Sequence, residues 1–289
     1  MTSPSSQETS NLPHSSTSGG FFANLFSRTQ RYSPEEWKEL LKSHPYVPPG
    51  SGDARSPCPL LNTFANHGIS IPRNGRNFTK RQLYELLIIM GVKSMLASLV
   101  VTSVFVMYRQ PAPNSTWRDS FRSASTLSLD SLGIHGLLEH DVSLTRHDAQ
   151  IAPYDAVSVV PELVQQMATL AQTSHLNAEN IVFDDENYFH HRKSRWLTCI
   201  KENPYLHYSF IQQFLSAAEA HLLLHLLGRN DQISLDHMNL FLLDERFPDN
   251  WHPIDRPLSG LSAIRTIIRY YRRVRQTNPM LAASKGTES

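Results

Sequence analysis

The stretch RSPCPLLNTFANHG, residues 55–68, places a cysteine between two prolines directly before a short apolar segment. Proline fixes its own φ and disfavours helical backbone in the preceding residue, so Pro57 and Pro59 should hold Cys58 in an extended conformation. Pro59 suits the first position of a helix, and Gly68 is a typical residue just after its end. The sequence therefore predicts a helix that begins after Cys58 and ends before Gly68.

In this arrangement Cys58 lies at a helix N-terminus, where free N–H groups and the helix dipole stabilise an anion. We expect this position to lower the pKa of the thiol and to favour the thiolate. A protein thiolate serves as a nucleophile, a redox partner or a metal ligand. The other cysteine, Cys199, is far away in the chain, so the sequence has no CxxC pair and no zinc knuckle.

The composition is that of a globular protein with one sizeable domain. The 289 residues include 27 basic and 26 acidic side chains, a balance that gives no electrostatic reason to expect nucleic-acid binding. Ser and Thr dominate the first 20 residues, so we predict a disordered tail over 1–34, one domain over 35–276 and a second tail over 277–289. Because no secretory signal is recognisable, we expect an intracellular, cytoplasmic protein rather than a mitochondrial or membrane-associated one.

Most of the domain has the apolar periodicity of helices and little of the alternation typical of strands, which predicts a mainly α fold. Predicted helices occupy residues 158–172, 184–203, 209–228 and 262–276. The last is basic and amphipathic, and one side of it carries Ile264, Ile267, Ile268, Tyr271 and Val274.

The least polar stretch is SMLASLVVTSVFVMY, residues 94–108. Lys93 precedes it, and Thr79 and Gln82 form a capping box at the start of this region. The stretch is shorter than the roughly 20 residues that a helix needs to span a bilayer. We therefore expect a long helix that is buried in the core or lines a cavity, rather than a membrane anchor.

Oxygen ligands and a base are candidates in GIHGLLEHDVSLTRHD, residues 133–148. Glu139 and Ser143 are four residues apart, so on a helix their side chains would share a face, and hard oxygen ligands of this kind suit Mg²⁺. The adjacent His140 and Asp141 could form a base with its orienting carboxylate.

A single carboxylate, Glu219, interrupts an apolar face of the predicted helix over 209–228. Its neighbours on that face are Leu215, Leu222, Leu223 and Leu226. Burial of a carboxylate costs free energy unless the group has a charged or hydrogen-bonding partner, so such a residue often has a function. Burial also raises the pKa of the carboxyl group into a range useful for proton transfer. The alternative is that Glu219 reaches the surface at the edge of the stripe. His221 and His225 are one turn apart, but the zinc-protease order HExxH is absent, so we expect no zinc site.

Four segments together resemble the fungal heme-thiolate peroxidases, the family of chloroperoxidase and the unspecific peroxygenases. The segments are RSPCPLLNTFANHGISIPRNGRNFT, LGIHGLLEHDVSLTRHD, NPYLHYSFIQQFLSAAEAHLLL and FLLDERFPDNW. They follow one another in the family's order over about residues 55–255. The resemblance implies a single helical heme-thiolate peroxidase-like domain with heme b as its cofactor.

The resemblance also implies roles for individual residues. Cys58 would be the proximal thiolate ligand of the heme iron. Glu139, the backbone carbonyl of His140 and Ser143 would hold a Mg²⁺ or Mn²⁺ ion beside a heme propionate. The Glu-His-Asp motif is that of the short peroxygenases and chloroperoxidase.

On the other side of the heme, the resemblance implies that Glu219 is the acid–base group that moves the peroxide proton. His140 would be hydrogen-bonded to Glu219, and Asp141 would orient His140. The implied activity is a peroxygenase that uses H₂O₂ to oxidise small organic molecules. The alternatives are a haloperoxidase or one-electron peroxidase on the same heme, and a heme-binding protein without turnover. No glycine-rich dinucleotide fingerprint is present, in keeping with a reaction that needs only H₂O₂.

Overall fold

The computed structural model of the chain describes residues 32–109, 124–176, 179–254 and 260–277. These residues are mainly helical, which confirms the predicted mainly α fold. Most of the two predicted tails, residues 1–31 and 278–289, lies outside the described residues.

The helices follow the predicted order, with further ones at the start of the domain. In chain order they are α1 (Pro34–Ser43), α2 (Pro59–His67), α3 (Lys80–Ile89), α4 (Ser94–Met107), α5 (Pro161–Ser174), α6 (Asp185–Glu202), α7 (Phe210–His221), α8 (Leu235–Leu242) and α9 (Gly260–Thr277). A 3₁₀ helix covers Leu129–Gly133, and a π-helix, Leu222–Leu227, continues directly from α7. Two short antiparallel strand pairs join distant segments: β1 (Phe78–Thr79) with β2 (Thr126–Leu127), and β3 (Val182–Asp184) with β4 (Gln232–Ser234).

Helix α2 has the limits that its prolines and glycine predict. Cys58 is the N-cap residue with extended backbone (φ −83°, ψ 109°), and Pro59 is the first helical residue. Gly68 ends the helix in the left-handed region at φ 67°, which glycine adopts without strain.

An aromatic cluster fixes α2 to the rest of the domain. Phe64 of α2 packs edge-on against Phe247, and Phe247 stacks on Trp251. Trp37 of α1 and Phe241 of α8 contact the same two rings. All five side chains are buried, and each such ring pair contributes on the order of 1 kcal/mol beyond the area it buries. The start of α2, with Cys58, is therefore held in a fixed place.

The predicted helix over residues 94–108 is present as α4, Ser94–Met107, but much of it is exposed rather than buried. The Thr79–Gln82 capping box begins the separate helix α3, which ends before Gly91, whose φ of 85° and close contact with Ile254 leave no room for a Cβ. Helix α4 buries a narrow stripe that includes Ala97 and Val101, whereas several of its large apolar side chains are exposed. None of the helices in the described ranges has both the length and the apolarity to cross a membrane.

Helix α9 packs on α6 and α7, and of the apolar side seen in its sequence only Val274 is buried there. It buries Ala263, Tyr270, Val274 and Thr277. Ile264 and Ile268, which were expected beside Val274, are 53% and 42% exposed. The reason is that Tyr270 makes contacts that no isoleucine could: its ring packs on Phe189, and its hydroxyl donates to Asp231.

Candidate active site

The thiol of Cys58 lies against the first turn of α2. Burial is the largest influence on this thiol and raises its pKa, while the backbone N–H groups of Leu61 and Leu60 lower it by hydrogen bonding to the sulfur. The pKa ends above its usual value, so the prediction of a lowered pKa is wrong. The helix N-terminus was correctly identified, but desolvation outweighs it. The thiolate therefore needs a nearby cation to persist.

The loop before Cys58 is fixed by a buried amide. The Asn62 side chain accepts a hydrogen bond from the backbone N–H of Ser56 at 2.8 Å and donates to the Ser56 carbonyl at 2.8 Å. The same amide nitrogen of Asn62 donates to Glu245 Oε1 at 2.8 Å. The position of Cys58 thus depends on a residue that lies near the other end of the domain.

A buried cation lies behind this loop. Arg146 is 1% exposed, and its Nη2 lies 2.9 Å from Glu245 Oε1. Its charge acts on Cys58 and lowers the pKa of the thiol, though less than burial raises it. Sequence analysis missed Arg146 and Glu245, because nothing local indicates that residues 99 positions apart meet.

Glu219 and His140 meet, as the resemblance implied. His140 Nε2 lies 3.4 Å from Glu219 Oε1 and 3.3 Å from Ser216 Oγ. Tyr208 donates to the same Ser216 oxygen at 2.6 Å and packs its ring against His140. Glu219 leaves 46% of its side chain exposed, although burial is the largest influence on the pKa of its carboxylate.

Glu219 and His140 each stabilise the charged form of the other. Burial raises the pKa of Glu219, but His140 and Arg192 outweigh it, and the pKa ends below its usual value. Burial lowers the pKa of His140, but Glu219 and the Asp141 carbonyl outweigh it, and the pKa ends above its usual value. The prediction that apolar neighbours keep the pKa of Glu219 raised is therefore wrong, because an imidazole and a guanidinium lie within reach.

The Asp141 carboxylate is not the group that contacts His140. The His140 Nδ1–H donates to the backbone carbonyl of Asp141 at 2.7 Å. The Asp141 carboxylate instead accepts a hydrogen bond from the backbone N–H of His207 at 3.0 Å. His140 is thus oriented by the backbone carbonyl of Asp141 and not, as sequence analysis expected, by the carboxylate of that residue.

The backbone of the Glu-His-Asp segment is strained at the next residue. Val142 has φ 64°, a region that β-branched residues rarely adopt, and its side chain is fully buried. Its N–H donates to Asp148 Oδ1 at 3.0 Å, and its carbonyl accepts from Arg192 Nη1 at 3.3 Å. These two contacts hold the turn that aims His140 at Glu219.

Arg192 is a residue of this site that sequence analysis did not identify. It lies on α6, which reads as a polar helix, yet it is 0% exposed and stacks over the Tyr208 ring at 5.0 Å. Its Nε and Nη2 have no hydrogen-bond partner among the described residues. A buried guanidinium with open donors next to Glu219 lowers the pKa of that carboxylate.

Glu139 is buried close to a histidine rather than exposed on a helix. Its Oε2 lies 2.7 Å from His135 Nδ1, and burial nevertheless raises the pKa of the carboxyl. Ser143 lies four residues on, at a part-exposed position, and its carbonyl accepts from Arg195. Cys199 is buried elsewhere, and burial raises the pKa of its thiol to about 12.

The sequence model of the family described as "Peroxidase, family 2" matches residues 44–256. The chain belongs to peroxidase family 2. This confirms the resemblance to fungal heme-thiolate peroxidases, and the matched range contains Cys58, the Glu-His-Asp segment and Glu219.

Curated relatives in peroxidase family 2 carry names of two kinds. The chain is 36% identical over 105 residues to a chloroperoxidase of Leptoxyphium fumago, an alignment that covers 36% of this chain and 26% of the relative. It is 26% identical over 235 residues to an aromatic peroxygenase of Cyclocybe aegerita, covering 76% of this chain and 60% of that protein. An aromatic peroxygenase of Coprinellus radians is 26% identical over 225 residues, with 72% and 82% coverage. The chain thus spans about a quarter and about three fifths of the length of the first two relatives.

Proposed function

We propose that this protein is an H₂O₂-dependent heme-thiolate peroxygenase that inserts oxygen into small, lipophilic organic molecules. The observation that carries the proposal is the placement of the half-buried Cys58 thiol at a helix N-terminus, within electrostatic range of the His140–Glu219 pair. The names of the family 2 relatives, chloroperoxidase and aromatic peroxygenase, support the same chemistry.

The residues present fit a heme bound between Cys58 and Glu219. Cys58 is the N-cap of α2 and Glu219 lies on α7, and the charge of Glu219 raises the pKa of the Cys58 thiol, so the two groups lie within electrostatic range of each other. A thiol whose pKa is raised by burial becomes a good ligand once a cation lies on the sulfur. We propose that Cys58 is the proximal ligand, and that a heme bound there supplies the iron that activates the peroxide.

The proposed Mg²⁺ or Mn²⁺ ion fits the oxygen donors of the Glu-His-Asp segment. A carboxylate, a hydroxyl and a carbonyl, from Glu139, Ser143 and His140, are the hard ligands that such ions take. Burial raises the pKa of Glu139 even with His135 beside it, so a divalent cation would stabilise the ionised carboxylate.

The protein's own part in the reaction is proton transfer. Glu219, ionised because His140 and Arg192 lower its pKa, accepts the proton of H₂O₂ and returns it to the oxygen that leaves as water. His140 holds the carboxylate in place through its Nε2, and the Asp141 carbonyl fixes the His140 ring. Asp141 is therefore proposed as a positioning residue.

Oxygen-isotope labelling tests this function. The heme-loaded protein is mixed with ¹⁸O-labelled H₂O₂ and an aromatic or alkyl substrate, with and without bromide or chloride. Label in a hydroxylated product supports the peroxygenase. Halogenated product, or coupled products without label, would establish the haloperoxidase or one-electron peroxidase. Heme-loaded protein that does not consume peroxide would contradict the proposal and leave a heme-binding protein.

A further inference from the structure

The outer face of α4 is apolar and has no partner within the described residues. Five large side chains on this helix are exposed: Met95 by 85%, Leu99 by 64%, Met107 by 39%, and Leu96 and Val100 by 37% each. Contiguous exposed apolar surface on a folded domain marks an interaction site. We propose that this face of α4 attaches the protein to the surface of an anionic lipid membrane.

The charges around α4 favour a membrane over another protein surface. Between Leu86 and Arg109 the chain carries no acidic residue, and its two cations are Lys93 and Arg109, one at each end of α4. An apolar face bordered by cations matches acyl chains bordered by anionic headgroups.

The length of α4 fits attachment rather than spanning. Its 14 residues extend over about 21 Å, whereas the hydrocarbon core is about 30 Å thick. The buried stripe of Ala97, Val101 and Val104 fixes one side of the helix to the domain. Among the described residues nothing covers the opposite side, which can enter the headgroup boundary as in helices that lie in the plane of the interface.

A second copy of this chain fits the face less well. If two α4 helices packed antiparallel about a two-fold axis, Lys93 of one copy would meet Arg109 of the other. In a parallel arrangement each cation would meet its own equivalent. Both arrangements place like charges against each other, with no acidic side chain on α4 to compensate.

Flotation of the full-length protein with vesicles tests the proposal. Vesicles of phosphatidylcholine are compared with vesicles that also contain phosphatidylserine. The double variant Met95→Glu/Leu99→Glu places two charges on the face. The matched control is Leu176→Glu/Leu197→Glu, at positions that are 80% and 53% exposed outside α4. Because burial of one large apolar side chain is worth about tenfold in partitioning, the first variant should bind phosphatidylserine vesicles at least about tenfold more weakly, and the control should bind like the wild type.

Three outcomes would overturn the proposal. The wild type could fail to float with either vesicle, or Met95→Glu/Leu99→Glu could float like the wild type. The protein could instead be a dimer without lipid that the same variant makes monomeric, which would assign the face to a second copy.

Lys93→Gln with Arg109→Gln should lower binding only to the phosphatidylserine vesicles. Circular dichroism of each variant checks the fold, and the result does not depend on the proposed reaction.

Discussion

Burial and the partner's charge act in opposite directions on the pKa of both Glu219 and His140, and in each case the partner's charge contributes to the larger effect. Without the imidazole, the carboxylate would have a higher pKa, and without the carboxylate the buried imidazole would lose its proton more easily. The 3.4 Å contact is therefore what keeps Glu219, the proposed proton acceptor, ionised. This chemistry rests on two side chains from distant parts of the chain.

Replacement of Glu219 by glutamine should abolish most peroxide activation while fold and heme content persist. Glutamine has the same shape but cannot accept and return a proton, and the loss of general acid–base catalysis is typically about 10²–10⁴-fold in rate. Stopped-flow measurement of peroxide consumption checks the rate, and the absorption spectrum checks the heme. A wild-type rate in Glu219→Gln would show that another group moves the proton.

His140→Gln should slow the reaction less than Glu219→Gln and shift its pH dependence. The imidazole is the group that lowers the pKa of Glu219 most, so the acid limb of the rate profile should move to higher pH. A purely structural role of His140 would lower the rate without moving that limb.

At the scale of elements, α7 carries Glu219, the proposed acid–base group. It also carries His221, whose ring packs against His225 of the π-helix that continues from α7. His221 is 6% exposed, and neither of its ring nitrogens has a partner among the described residues. Burial, with smaller contributions from His225 and Arg269 and partial opposition from Asp231, lowers its pKa to about 4. The His225 ring lies 4.6 Å away between ring centres, and its Nε2 is 2.7 Å from Asp231.

This depressed pKa makes the protein sensitive to acid. As the pH falls from about 6.5 to about 4, the unfolded chain binds a proton at His221 that the folded protein rejects, so stability falls with pH. At pH 5 the loss is about 2 kcal/mol. His221→Leu should lower the slope of unfolding free energy against pH in this range, and denaturant titrations at several pH values measure it. The exposed His190→Leu is the control, and an unchanged slope in His221→Leu would contradict the account.

At the scale of the whole molecule, Arg146, Glu245 and Asn62 join three distant segments behind Cys58. Arg146 and Glu245 form a largely buried ion pair at 2.9 Å, and Glu245 also receives the Asn62 amide. Loss of one partner leaves an uncompensated charge, so Glu245→Gln should destabilise the protein by about 3–5 kcal/mol. The double variant Arg146→Met/Glu245→Leu should recover part of this loss in urea unfolding. A change below about 1 kcal/mol in Glu245→Gln would show that the pair does not hold the loop.

Local signals in the sequence were sufficient for much of the fold. The proline bracket and Gly68 predicted α2, and the Thr79/Gln82 capping box marked the start of α3, because these features act within one turn. Long-range burial could not be predicted in the same way. From the sequence of α6 alone, Arg192 is expected to face solvent. In the structure, Tyr208 and Val142 from other segments of the chain enclose it.

The same limit explains the errors at α4 and α9. Apolar sequence predicted burial of α4, but the domain buries only a narrow stripe of it. In α9 the domain buries the Tyr270 side rather than the apolar side that carries Ile264 and Ile268. For the candidate site, the sequence supplied the residues through a family resemblance. The directions of the Cys58 and Glu219 pKa values depend on desolvation and on Arg192, which only the structure reveals.

The ligation of the heme by Cys58 is the central claim, and absorption spectra of the reduced carbon monoxide complex test it most directly. The wild type and Cys199→Ser should both show the red-shifted Soret band of a thiolate-ligated heme, because the buried Cys199 thiol lies on α6 against Asp148 and not at the N-terminus of α2. Cys58→Ala should lose that band. A thiolate-type spectrum that survives in Cys58→Ala and disappears in Cys199→Ser would contradict the account.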